Sequence, residues 1–197
     1  MSVLRFAAVS AGEYDAGWLT EVERARHDRL RLPADRAAYL AAHVLVRAAA
    51  AELLGADPAE LVLEQRCPDC ERTDHGRPAI AGTGLHVSLS HTRGWVAAAA
   101  AERPVGIDVE RIRPVSPGVV ARMLTESEQE WLWRQPDADR AFTRLWVRKE
   151  ALVKAGAGRL ADAGRLDVLA GGEPAVRIAD RELVEWTDGD AVGCWAN

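Results

Sequence analysis

Two carboxylates stand two residues apart in the segment GIDVERIRP, residues 106–114, where the neighbouring residues predict a short buried strand. Successive side chains of a strand point to opposite faces. Asp108 and Glu110 should therefore share one face, while Ile107 and Val109 anchor the other. Two acids alone are equally compatible with a solvated edge strand, so a third group is needed to indicate a site.

Further charged groups occur in LWVRKEALVKAG, which belongs to a predicted helix over residues 139–156. Glu150 and Lys154 are four residues apart and lie on one face of that helix. Such a pair is usually a surface feature worth roughly a few tenths of a kcal/mol. Combined with Asp108 and Glu110, however, it completes a set of three carboxylates and one ammonium.

This set of groups predicts a magnesium-phosphate site. Carboxylate oxygens are hard ligands, and Mg²⁺ takes a few of them together with waters and substrate phosphates, whereas zinc favours His or Cys. Donors for a phosphate are available in LHVSLSHTRG and HGRP, which contain Ser90, His91 and Arg77. Ser90 and His91 are placed at a predicted strand end, where both can donate to a pyrophosphate. As adjacent strand residues they would face opposite ways, which excludes a serine hydrolase pair.

Four segments, HGRP, VSLSH, GIDVE and WVRKEALVK, resemble in this order the 4′-phosphopantetheinyl transferases of the Sfp type, in the branch with Trp and KEA. The resemblance covers roughly residues 26–166. It implies Mg²⁺-dependent transfer of the phosphopantetheine arm from coenzyme A to a serine of an apo acyl or peptidyl carrier protein, releasing adenosine 3′,5′-bisphosphate. The alternative is a non-catalytic coenzyme A or carrier-protein binding module, against which the complete set of acids and lysine argues.

The resemblance also implies roles for residues of the second half of the chain. Asp108, Glu110 and Glu150 match the magnesium ligands of the family. Glu150, or a metal-bound water that it orients, is the implied base for the serine hydroxyl. Lys154, together with His91 from the first half, matches groups that contact the pyrophosphate and take part in catalysis.

Residues of the first half are implied to bind the nucleotide. Arg77 occupies the basic position of a Gly-Lys/Arg-Pro motif that meets the 3′-phosphate, and Ser90 lies beside His91. Arg36, on the first long helix, is expected to meet the nucleotide as well. Arg26 and Arg29 fit a solvated helix face better.

The elements that must position these residues occur in segregated blocks of helices and strands, which favours the α+β class. A helix is predicted over residues 14–30, and a longer one in PADRAAYLAAHVLVRAAAAELLG, with Gly55 as C-cap. Strands are predicted over residues 85–90 and 95–101, and Thr125 begins a capping box. The resemblance implies two similar α+β halves, residues 1–104 and 105–197, packed as an intramolecular pseudo-dimer with the active site in the cleft between them.

Composition and charge argue against some classes of binding partner and indicate where in the cell the protein is located. The 197 residues include 25 basic and 30 acidic ones, a net charge of −5, so no overall basic field would attract nucleic acid or an anionic membrane. The longest uninterrupted apolar run, residues 95–101, is too short for a spanning helix. Glu13 and Asp15 argue against a signal peptide, and three cysteines fit a reducing compartment. We therefore expect a cytoplasmic protein, and the two-halved architecture favours a monomer.

A Cys-rich loop offers an alternative metal. Cys67 and Cys70 form a C-x₂-C pair, and His75 follows five residues later. A closed structural zinc site needs four ligands, so His86 or His91 would have to join from the following strand. A reduced Cys-rich loop is therefore the default interpretation, and a zinc-dependent interaction domain is the alternative.

Overall fold

The computed structural model describes residues 1–67, 70–73 and 75–197. The chain divides into two compact units, Met1–Val105 and Gly106–Asn197, so the predicted boundary after residue 104 lies beside this division. Each unit packs one long helix against an antiparallel sheet, which gives the α+β class that the sequence predicts. The pseudo-dimer packing of the two halves stays a prediction.

The first unit is built around a five-stranded antiparallel sheet with the order β1-β5-β4-β3-β2. Its helices are α1 (Glu21–Arg29) and α2 (Pro33–Leu54), and its strands are β1 (Ser2–Ala8), β2 (Leu63–Arg66), β3 (Arg77–Ile80), β4 (His86–Thr92) and β5 (Trp95–Ala101).

Helix boundaries in this unit follow from caps. Gly55 ends α2 with a φ of 63°, the left-handed conformation expected of a C-cap glycine. The helix predicted over residues 14–30 is shorter, because Thr20 and Glu23 form a capping box that begins α1 at Glu21.

Alanine lets α2 lie close to the sheet. The core of this unit joins small helix residues such as Ala42 and Ala49 to Val96, Ala98 and Ala100 of β5. Alanine has the highest helix propensity and loses no side-chain entropy on burial, so a flat alanine surface suits a helix resting on a strand. Ala97 and Ala99 are also fully buried, which shows that β5 is covered on both faces.

The helix α2 is also long and apolar enough to cross a membrane by length and composition alone. In its most apolar window, with mean hydropathy 1.4, 61% of the window is buried within the structure. A buried core helix passes the same test. The uninterrupted apolar runs within α2 are short, because isolated polar residues such as His43 and Arg47 divide them.

The second unit holds a four-stranded antiparallel sheet with the order β6-β11-β10-β9 and a small β7-β8 pair. Its strands are β6 (Gly106–Arg111), β7 (Leu169–Ala170), β8 (Glu173–Pro174), β9 (Arg177–Ile178), β10 (Arg181–Asp188) and β11 (Ala191–Ala196), and its helices are α3 (Pro117–Met123), α4 (Glu126–Leu132) and α5 (Ala138–Lys154).

A buried ion pair ties α5 to α4. The predicted capping box at Thr125 is confirmed, and its partner Glu128 is fully buried. Lys149 Nζ lies 2.6 Å from Glu128 Oε2 and donates to the carbonyls of Met123 and Ala163. Burial lowers the pKa of Lys149, and the bond to Glu128 works against that shift. The lysine of the KEA segment is therefore a structural residue, because all its bonds go to neighbouring elements of the same unit.

A glycine sets the distance between β6 and α5. A Cβ built on Gly106 would overlap the carbonyl oxygen of Ala151 and lie 2.6 Å from the nitrogen of Ala155. The first residue of the GIDVE segment must therefore lack a side chain, since the strand passes directly against the backbone of the last helical turn.

We expect Gly106→Ala to destabilise the protein by about 1–3 kcal/mol, because the added methyl group must push β6 and α5 apart. Thermal unfolding of the metal-free protein measures this. The matched control is Gly118→Ala in α3, where an added Cβ meets nothing within 4 Å. Equal stability of the Gly106 variant and the wild type would show that the strand and helix are not in tight contact.

Candidate functional site

The two acids of β6 face α5. Antiparallel register pairs Asp108 with Cys194 and Glu110 with Val192. Directly paired residues share a face, and both Cys194 and Val192 belong to the core cluster formed with α5. Asp108 is 3% exposed and Glu110 is half-buried. The predicted sharing of one face is therefore observed, and that face is turned towards the helix rather than being an exposed sheet surface.

Lys154 closes the space between the strand and the helix. Its Nζ donates to Asp108 Oδ1 at 2.7 Å and to the carbonyl of Ile107 at 3.2 Å. The lysine reaches the strand because it stands at the end of α5, in the turn that Gly106 allows to approach. Its side chain is 29% exposed, so the ammonium remains accessible to a ligand.

The carboxylates influence one another's titration. Burial, followed by the charge of Asp108, raises the pKa of Glu110 to about 7, although Lys154 and Arg113 act in the opposite direction. Burial and the charge of Asp108 also raise the pKa of Glu150. Glu150 adds to the shift at Glu110. Because charge effects of this kind fall off with distance, the three acids occupy one neighbourhood.

This group of buried and half-buried carboxylates fits a divalent cation. Three carboxylates offer the hard oxygen ligands that Mg²⁺ takes, and a cation would offset both the burial of the charged groups and the repulsion from Asp108, which together raise the pKa values of Glu110 and Glu150. Among the described residues, the group whose ligand atoms all lie within 4.8 Å of one another is a different one, Cys67, Cys70 and His75. The three acids of the second unit are thus neighbours without being gathered as tightly as a filled site.

A cavity of about 350 Å³ within the second unit adjoins one of the acids, Glu110. Glu110, Arg113, Phe142 and Trp146 are among its lining residues. Phe142 and Trp146 stack with their ring centroids 6.5 Å apart. The Trp of the WVRKEALVK segment therefore lines an apolar-walled space that begins at Glu110.

The phosphate-binding candidates Ser90 and His91 lie in the last three residues of β4. β4 continues to Thr92, two residues past the predicted limit, because residues 86–92 pair with β5 throughout. Ser90 is buried and His91 is exposed, as expected for neighbours on opposite faces. The strand therefore ends two residues later than predicted, directly before the turn at residues 93–94, and the separation that excludes a nucleophile-base pair is observed.

A polar network that the sequence did not suggest supports His91. The centroids of the His91 and Tyr39 rings are 5.9 Å apart in an edge-to-face contact, and those of the stacked Tyr39 and His43 rings are 4.0 Å apart. Glu23 binds His43 Nδ1 at 2.6 Å and accepts two bonds from Arg47. Burial alone would raise the pKa of Glu23, but the bonds from His43 and Arg47 outweigh it and lower the pKa to about 2. The signal was present as two polar residues four apart on an otherwise apolar helix.

The two arginines predicted to bind the nucleotide, Arg77 and Arg36, lie in different surroundings in the first unit. Arg77 is exposed at the first position of β3 and lines a cavity of about 620 Å³, together with Arg66 and Tyr39. Arg36 is half-buried and donates to the carbonyl of Leu30 at 3.2 Å. Arg77 is thus placed at a cavity, while Arg36 braces the segment between α1 and α2.

The raised pKa of Glu110 predicts a pH-dependent effect of its removal. Its folded-state pKa of about 7 exceeds its usual value of 4.5. The folded protein therefore has the full contribution of this group to its free energy of unfolding below pH 4.5, and it loses that contribution as the pH rises through 7. We expect Glu110→Gln to stabilise the metal-free protein at pH 8 by about 1–2 kcal/mol, allowing for partial exposure.

Urea unfolding in the presence of EDTA at pH 8 and pH 5 measures this effect, which should shrink at the lower pH. The matched control is Glu130→Gln, on the exposed side of α4. A Glu110 variant that is destabilised equally at both pH values would contradict a strained, charged carboxylate.

Comparison with known proteins gives a family. Residues 104–195 match the model of the 4′-phosphopantetheinyl transferase superfamily. The chain is 31% identical over 136 residues to the 4′-phosphopantetheinyl transferase psf-1 of Bacillus pumilus, with 67% of this chain and 55% of that protein covered. It is 29% identical over 151 residues to a 4′-phosphopantetheinyl transferase of Bacillus subtilis, with 74% and 64% covered. It is 30% identical over 84 residues to the 4′-phosphopantetheinyl transferase Sfp of Bacillus subtilis strain 168, with 41% and 38% covered.

The chain spans 55% and 64% of the lengths of the first two relatives. The residues that match the family model include both β6 and α5, and therefore all three clustered carboxylates and Lys154. The chain belongs to the 4′-phosphopantetheinyl transferase superfamily and is similar to its Sfp-type members.

Proposed function

We propose that the protein transfers the 4′-phosphopantetheine group of coenzyme A to a serine of an apo carrier protein. The serine Oγ forms a bond to the β-phosphorus, and the bond from that phosphorus to the bridging oxygen breaks. The bridging oxygen leaves with the α-phosphate, as adenosine 3′,5′-bisphosphate. The observation that carries the proposal is the cluster of three carboxylates and one lysine between β6 and α5, inside the segment that matches the family.

Asp108, Glu110 and Glu150 would hold the metal in this proposal. Mg²⁺, when bound, supplies positive charge that neutralises phosphate oxygens. The fit rests on ligand chemistry, because the donors are oxygens, and on electrostatics, because burial and mutual repulsion raise the pKa values of both glutamates.

Lys154 would hold one phosphate oxygen. An ammonium has three N–H donors, and two of them bind Asp108 and the carbonyl of Ile107. The remaining donor is available to the diphosphate. Because the other two bonds fix the side chain, the charge is held in position before substrate arrives, which is the condition for effective electrostatic stabilisation.

Glu150 would accept the serine proton. A hydroxyl is almost wholly protonated at neutral pH, so a carboxylate within reach assists its attack. Burial and the charge of Asp108 raise the pKa of Glu150, and this makes the carboxylate a stronger proton acceptor than an exposed glutamate. A metal-bound water oriented by Glu150 is the alternative base.

Residues of the first unit would bind the nucleotide. Arg77 is exposed at its cavity and can pair with the 3′-phosphate, as guanidinium groups do with phosphates. His91, Ser90 and Arg36 are proposed as further contacts. The cleft between two pseudo-dimeric halves, the monomeric state and a cytoplasmic location stay predictions.

The test is intact-mass spectrometry of an apo carrier protein after incubation with this protein, coenzyme A and Mg²⁺. We expect a gain of one phosphopantetheine per carrier with Mg²⁺ and none with EDTA. Glu150→Gln should slow the transfer at least about 100-fold, the scale of a general base. Glu126→Gln, on the exposed first turn of α4, is the control and should transfer at the wild-type rate.

Transfer at an unchanged rate in EDTA, or by Glu150→Gln, would contradict the proposed site. Binding of coenzyme A and carrier without any transfer by the wild type would instead support the non-catalytic binding module.

A further inference from the structure

The connection between β2 and β3 gathers three potential metal ligands. Cys67 follows the last residue of β2, and His75 lies two residues before β3. The Sγ atoms of Cys67 and Cys70 and a ring nitrogen of His75 all lie within 4.8 Å of one another. Cys70 Sγ is 3.3 Å from His75 Nε2. Residues eight positions apart along the chain therefore converge on one small volume.

The backbone around these ligands is closed by specific contacts. Cys67 N donates to the carbonyl of Arg72 at 3.0 Å, and Glu71 N donates to the carbonyl of Cys67 at 2.9 Å. Gly76 has a φ of 109°, and a Cβ there would overlap the backbone of Arg66 and Cys67. A glycine is thus required where the chain returns across the start of the loop, which brings His75 back towards Cys67.

We propose that Cys67, Cys70 and His75 bind a zinc ion, which cross-links the two ends of the β2-β3 connection. Two thiolates and an imidazole are the soft and borderline donors that Zn²⁺ selects over Mg²⁺. The C-x₂-C spacing is typical of zinc sites, and the three atoms are already closer than unrelated side chains would be. A water molecule would supply the fourth ligand of a tetrahedral zinc site, because the side of the group at Cys70 is exposed.

A redox pair is the competing use of the same cysteines. The three cysteines are not joined in disulfides, and in the gathered group His75 lies together with the sulfurs of Cys67 and Cys70. A disulfide needs no histidine, whereas a zinc ion uses all three groups. The presence of the imidazole in the group therefore favours the metal.

The bound zinc would also fix part of the wall of the larger cavity, because the β2-β3 connection forms part of that wall. Glu71 and Thr73 of the connection, together with Arg66 and Arg77 at its two ends, line the cavity of about 620 Å³. Arg66 and Arg77 are direct partners in the β2-β3 ladder. Fixing the connection therefore fixes the entry into β3 and its first residue, Arg77. The zinc site itself does not rest on the proposed transferase activity, because its ligands and its test lie outside that chemistry.

The experiment uses the full chain, purified under reducing conditions and equilibrated with buffered micromolar Zn²⁺. Elemental analysis should find one zinc per chain in the wild type and none in Cys67→Ser, Cys70→Ser or His75→Gln. Cys194→Ser is the matched control and should keep its zinc, because Cys194 is buried in the other unit. Circular dichroism of each variant checks that it is folded.

Co²⁺ substitution gives a readout that depends on the ligands. The wild type should show thiolate-to-cobalt charge transfer with the intensity of two sulfurs, and Cys70→Ser, which should not hold the metal, should show none. Hydrogen exchange over residues 63–80 should slow when zinc is added to the wild type and remain unchanged in the variant that combines Cys67→Ser, Cys70→Ser and His75→Gln.

Three results would overturn the proposal. The first is a wild type without bound zinc at micromolar free Zn²⁺. The second is zinc retained by the Cys67→Ser/Cys70→Ser double variant. The third is a mass, measured on protein kept with zinc, that is two hydrogens lower than the mass of the reduced chain. This would indicate that Cys67 and Cys70 form a disulfide instead of binding zinc.

Discussion

The close contact between the first residue of β6 and the last turn of α5 is the constraint on which the candidate site depends. Gly106 permits the two backbones to touch, and this brings Lys154 within bonding distance of Asp108. The same contact places Glu150 in a region already occupied by two acids. Buried like charges repel, so the fold of the second unit must supply the free energy that holds them together. Three neighbouring acids do not stabilise the protein. We therefore assign this group of acids a function.

The KEA segment divides its charged residues between stability and chemistry. Lys149 points into the unit, where it pairs with Glu128 and caps two carbonyl groups. Glu150, the next residue, turns towards β6, where its pKa is raised. Because successive residues of a helix are about 100° apart, one helix can anchor itself with one residue and present the next to a site. The rigidity of the anchored helix is then transmitted directly to the carboxylate.

Much of this could be predicted from the sequence because it depends on local periodicity. The alternation in GIDVE placed Asp108 and Glu110 on one face, and the helical spacing placed Glu150 beside Lys154. The capping box at Thr125 and the glycine C-cap of α2 were likewise local signals.

Other features depend on contacts between distant residues and could not be predicted in that way. The Glu23–His43–Arg47 network joins two helices, and the Lys149–Glu128 pair joins two others. Cys67, Cys70 and His75 lie close together because Gly76 has a positive φ and because β2 pairs with β3. The sequence patterns did not predict the strand β3. The extension of β4 past Ser90 likewise follows from its pairing with β5.

The most direct measurement of the central claim is the anomalous scattering of Mn²⁺, used in place of Mg²⁺, in crystals of the protein with coenzyme A. The account predicts one strong peak about 2.0–2.3 Å from carboxylate oxygens of Asp108, Glu110 and Glu150, at ordinary distances for such ions. A peak elsewhere, or none between β6 and α5 while the nucleotide is bound, would contradict the assignment of these three acids as metal ligands.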